Sequence, residues 1–84
     1  MTKVIFSGCE FDVISASNVG DDSETMEFRK LDGSSGIAIA ITQFGEYGSS
    51  DVSIIVFNEI SLDIVEQAIS YTRQRFGIPL RENM

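Results

Sequence analysis

Cys9 is the only thiol in the chain, and its 84 residues include no histidine. Thiol catalysis runs through the thiolate, and histidine is its usual base, so the ordinary partner for nucleophilic chemistry is missing. Cys9 also falls in phase with Phe11 and Val13, at alternate positions of one apolar row. The role expected of it is that of a packed, inert core residue. Ser34, Ser35, Ser49 and Ser50 stand in glycine-containing stretches, which is turn composition rather than the G-x-S-x-G elbow of a serine hydrolase. The stretch "LDGSSG" lacks the GK[ST] ending of a phosphate-binding loop and has no helical pattern directly after it.

Carboxylates are the remaining chemical groups in quantity. "DDSE" supplies Asp21, Asp22 and Glu24, whose oxygens suit a hard cation. A calcium loop also needs acids at alternate positions, a glycine at the sixth and a glutamate at the twelfth, and that pattern is absent. A solvated acidic loop is therefore expected, with no metal and no other cofactor assigned. Paired carboxylates also serve glycoside hydrolysis, but so short a chain has little material with which to enclose a substrate pocket. The residues point away from an enzyme.

What the acids do have is a distribution. The formal charge is −7. Between Val4 and Phe28 there is no Lys or Arg, while Glu10, Asp12, Asp21, Asp22, Glu24 and Glu27 all fall there. Such a balance opposes direct nucleic-acid binding, which needs bases to displace counterions from phosphate. It equally opposes an anionic membrane surface. A charged partner of this chain should be a basic protein. Tyr47, between Gly45 and Gly48 with Glu46 beside it, adds an aromatic at a loop tip, a common interface anchor. The competing expectation for Tyr47 is a ring folded back over the sheet edge.

The elements that would position these groups follow from periodicity. "KVIFS" (3–7) reads as a strand ended by Gly8. "CEFDVIS" (9–15) alternates an apolar row with Glu10 and Asp12. Residues 17–24 collect turn formers and read as a loop. "TMEFRKL" (25–31) sets Met26 and Phe28 against Glu27 and Arg29, and "DGSSG" (32–36) reads as a hairpin connection. "IAIAITQF" (37–44) puts Ile37, Ile39 and Ile41 on one face and Ala38, Ala40 and Thr42 on the other; Ala38 and Ala40 suit the close approach of a helix, leaving the isoleucine row for the opposite face, with the reverse assignment open. "GEYGSSD" (45–51) is a second hairpin loop. "VSIIVF" (52–57), apolar on both faces, reads as a central strand.

"SLDIVEQAISYTRQRFG" (61–77) is the one helical stretch. Ser61 is its N-cap, Asp63 and Glu66 sit near the positive end of the dipole, and Ile60 and Val65 are placed for a hydrophobic staple. Leu62, Val65, Ile69, Thr72 and Phe76 form its expected stripe, widened by Ile64 and Ala68. Tyr71 and Arg75 fall four apart, either as an exposed patch or as a border of the core. Gly77 and Pro79 end the helix.

The expected fold is α+β: an antiparallel β-meander of four or five strands with one C-terminal α-helix, residues about 61–76, packed on one face. Residues 1–84 make one compact domain. No secretory signal and no stretch of the roughly 20 apolar residues that span a bilayer is read, and a lone thiol suits the cytoplasm. One cysteine and no histidine exclude an internal disulfide and the commonest zinc ligand, so the support available to so small a core is association with another chain. One helix covers only part of a sheet, which points to a homodimer through the uncovered face or an edge strand; the alternative is a sheet curled around its own core.

Two functions are expected from this. The first is a small acidic, non-catalytic binding protein, of the inhibitor, immunity or phage-encoded blocker type, acting on a basic or nucleic-acid-binding protein. Its partner-binding residues are Glu10, Asp12, Asp21, Asp22, Glu24, Glu27 and Tyr47. The second is a structural module that self-associates through an apolar sheet face.

Overall fold

The computed structural model describes residues 2–18, 20, 22–31, 36–57 and 59–79. Five strands run in chain order, β1 (Thr2–Phe6), β2 (Cys9–Asn18), β3 (Ser23–Lys30), β4 (Ile37–Phe44) and β5 (Val52–Val56), followed by α1 (Leu62–Phe76). The sheet order is β1-β2-β3-β4-β5, every pair antiparallel, so the fold is an α+β meander with one C-terminal helix on one face.

Alternation decides which side chains the helix covers. Phe11 and Val13 on β2, Met26 and Phe28 on β3, and Ile39 and Ile41 on β4 point to one side and are buried there. Ile39 and Ile41 lie under the helix while Ala40 faces away, and Ala38, beside a register shift, belongs to the same buried core. Two isoleucines remove more apolar area from water than two alanines. Close approach is supplied from the other layer by Ala68, which is fully buried. A register shift between Phe28 and Arg29 pairs Arg29 with Ile37, which breaks the expected Ile37–Ile39–Ile41 row and leaves Ile37 half-buried.

The helix buries Ile64, Ala68, Thr72 and Phe76. Leu62, expected on that stripe, is 69% exposed, and Val65 and Ile69 flank it half-buried. A line at spacing four drifts about 40° round the helix at each step, so the buried row slants across the helix axis as the helix crosses the sheet. Thr72 is tolerated inside because its hydroxyl donates to the Ala68 carbonyl at 2.8 Å. The N-cap is as expected: Ser61 Oγ accepts from the Ile64 amide at 3.2 Å. At the other end Gly77 takes φ 68° and its amide bonds the Arg73 carbonyl, a left-handed cap. Tyr71 borders the core, its ring 6.0 Å from that of Phe28 and 6.2 Å from that of Phe6, with Arg75 donating to its hydroxyl at 3.0 Å.

Two connections differ from expectation. Residues 17 and 18 continue β2, and Ser23 and Glu24 open β3, because Asn18 Nδ2 bonds Ser23 Oγ and Thr25 Oγ1 across the ladder. Polar turn formers thus serve as strand residues where a neighbour offers partners. The 32–35 connection lies outside the described residues. The larger correction concerns β5. The chain leaves it for the helix, and among the described residues no further strand pairs with it, so this strand apolar on both faces is an edge, not a central strand.

Candidate functional site: the uncovered sheet face and its β5 border

The molecule measures 37 × 35 × 21 Å. A helix layer on a sheet takes about 10 Å per layer, so the short dimension holds these two and no third. One sheet face therefore has no described element over it. The ladder places Lys3, Glu10, Asp12, Ile14, Glu27, Arg29, Ala40, Thr42 and Ile55 on that face, as cross-strand neighbours of one another.

This brings together three of the expected binding residues, Glu10, Asp12 and Glu27. Their field is not purely negative. Glu27 pairs with Arg29 on its own strand at 3.1 Å, and Asp12 stands opposite both Lys3 and Arg29 in the ladder. Asp12 is half-buried, and its Oδ1 is shielded from water with no hydrogen-bond donor.

Asp22, Glu24 and Tyr47 belong elsewhere. Glu24 stands opposite Ser17 and Gln43, on the helix side of the sheet near its end. Asp22 lies in the β2–β3 turn, where its carbonyl accepts from the Gly45 amide at 2.8 Å. That bond ties the turn to the β4–β5 loop carrying Tyr47. Asp22 and Glu24 line a polar hollow of about 240 Å³ at this end of the sheet. Tyr47 is 75% exposed, yet its ring lies against the helix cap, so close that a side-chain carbon at Gly77 would collide with it. Gly77 is thus required twice, for its positive φ and for this contact. Asp21 lies outside the described residues. The acidic set is therefore split between the open face and one sheet end.

Among the described residues, no group of three cysteine or carboxylate side chains is arranged to hold a metal ion. Cys9 is half-buried and borders the core rather than sitting inside it. No helix of the structure is long and apolar enough to cross a membrane.

The feature missed by sequence reasoning is β5. Val52, Ile54, Ile55, Val56 and Phe57 are all exposed large apolar residues, with Ile54 at 42% and Ile55 at 50%. Beside the strand, on the helix side, runs an apolar groove of about 250 Å³ whose lining includes Ile41, Val52, Ile54, Ile69 and Ile78. α1 packs over β1 and β4 and leaves this strip open. A signal for it existed: in a meander, the last strand before a departing helix has one neighbour only. No family model, curated protein or solved structure matches this chain.

Proposed function

We propose that this chain is a small non-catalytic module that works by protein–protein association, and that the β5 border of its sheet is the surface that binds. The observation that carries this is the concentration of exposed apolar side chains on β5, contiguous with the groove beside it. Single exposed hydrophobics are ordinary, but contiguous strips mark interaction surfaces. The same proposal places the module in the cytoplasm, where a lone thiol stays reduced.

Position-resolved photo-cross-linking in the native host tests it. A benzophenone side chain at Phe57 should give protein adducts, while the same group at the exposed Gln74 on the outer side of α1 should give none. Equal yields at the two positions, or none at either, would retire the association role.

A second mode is favoured by the carboxylates of the open face. Glu10, Asp12 and Glu27 stand together there, with Glu10 exposed, and such a patch suits cationic side chains brought by a basic protein. In that mode the chain is an acidic blocker, binding where its partner otherwise binds phosphates. Charge reversal of Glu10, Asp12 and Glu27 together should then weaken binding of the cross-linked partner by about tenfold or more, and high salt should do the same to wild type. Unchanged affinity in both would leave the apolar border as the sole determinant.

A further inference from the structure

We infer that the occupant of the β5 border is a second copy of this chain, paired strand to strand about a twofold axis at Ile54. This pairing rests on the association role proposed above and names the partner.

The phase of the backbone hydrogen bonds supplies the geometry. The Phe44 amide donates to the Asp51 carbonyl at 2.9 Å, and the Phe57 amide donates to the Ala38 carbonyl at 2.9 Å. In an antiparallel ladder, residues alternate between bonding one neighbour and bonding the other. Positions 51, 53, 55 and 57 therefore face β4, and Val52, Ile54 and Val56 aim their amides and carbonyls at the free edge. The antiparallel register that joins all three sets Ile54 opposite the partner's Ile54 and Val52 opposite the partner's Val56. It forms about six backbone hydrogen bonds and leaves no outward group of the strand unmet.

Charge selects the same occupant. No charged residue falls between Val52 and Phe57, in a chain of net charge −7. Two such chains repel wherever their acids meet, and here they do not meet: the register sets Asp51 opposite the partner's Phe57. The pleat puts Val52, Ile54 and Val56 of both copies on one side, so the two apolar grooves merge between the two helices. β1, the other edge, carries Lys3, a device that protects edges from pairing. A β5-to-β1 contact would also be head-to-tail and run on into a filament, whereas the twofold closes.

The test uses the full chain. Wild type should sediment at twice 9.2 kDa at micromolar concentration. Ile54→Lys, at an exposed position, should raise the dimer dissociation constant about a hundredfold or more, since it sets like charges face to face. Independently of that variant's folding, Ile54→Cys in a Cys9→Ser background should oxidise to a covalent dimer, because directly opposed residues lie about 5.5 Å apart at Cα. Ser53→Cys in that background should not, because its counterpart is diagonal, about 7–8 Å away. A monomer throughout, or cross-linking at 53 with none at 54, overturns the pairing. If Phe57 still yields adducts with other proteins in that case, the association role survives with a different partner; if it yields none, both fall.

Discussion

Phe28→Ala is expected to unfold most of the protein at room temperature or to lower its melting midpoint by tens of degrees. Phe28 is fully buried on the middle strand, paired with Val13 and Ile39 across the ladders. Its ring lies 5.8 Å from that of Phe6 and 6.0 Å from that of Tyr71, so it joins the sheet to the helix through an aromatic cluster. Truncating a buried phenylalanine costs about 3–5 kcal/mol, from lost transfer energy and from the cavity left behind. At about 0.05–0.15 kcal/mol per residue, a domain of this size holds about 4–13 kcal/mol in total. One substitution thus removes about a quarter of the stability at the least. Thermal denaturation followed by circular dichroism measures it. A shift of only a few degrees would mean that the cluster is not where the core resides. Truncation at the half-exposed Ile55 is the contrast, expected within about 0.5 kcal/mol because little burial is lost there. A variant that dissociates without unfolding can then be told from one that simply fails to fold.

Gln43→Leu is the second large effect, for a different reason. Gln43 is only 3% exposed, and its Nε2 donates to the Ser49 carbonyl at 2.8 Å and to the Phe76 carbonyl at 3.2 Å. One amide thereby fastens the β4–β5 loop to the last turn of the helix. The Gly48 amide reaches the same Phe76 carbonyl at 2.8 Å, so this is a small network rather than a single bond. Leucine keeps the volume and removes both donated bonds. The Ser49 carbonyl loses that donor beside an apolar side chain. A lost bond costs about 1 kcal/mol and an unsatisfied buried acceptor about 1–3 kcal/mol, so about 2–4 kcal/mol is expected. Gln43→Glu should be worse, since a carboxylate donates nothing and sets its charge against two carbonyl oxygens. Urea midpoints give the totals. Faster amide exchange at Gly48, with little change at the β1–β2 turn, would localise the effect. A midpoint unmoved in both variants would show that the loop and helix end are held by other contacts.

Much of this architecture was legible because it is local. The Ser61 cap, the left-handed Gly77 and the charges at the helix ends depend on a few consecutive residues, and α1 runs between the limits they set. Ser7 and Gly8, at φ 50° and 81°, form the two-residue turn that closes the first hairpin, and Gly8 alone marks it in the chain. Alternation in "CEFDVIS" and "TMEFRKL" likewise sorts inward from outward without reference to any other strand. The acidic set was legible as residue types but not as a surface. Pairing with Ser17 and Gln43 extends β3 back to Glu24, and the pleat then sets Glu24 on the helix side, opposite to Glu27.

By itself, the sequence determined the kind and order of the elements, the caps, and the want of histidine and of a second thiol, while leaving the strands at four or five. Each of these is encoded within a turn or a pleat of chain. The tertiary structure alone decided which face of β4 the helix covers, that Leu62 points to water, that Gln43 clasps the helix end, and that β5 is an edge. Apolar residues on both faces of a strand are what a central position requires, but composition cannot state whether a neighbour exists to fill it. On β5 no described strand fills that second side, so its outward backbone groups and apolar side chains stay at the edge of the sheet.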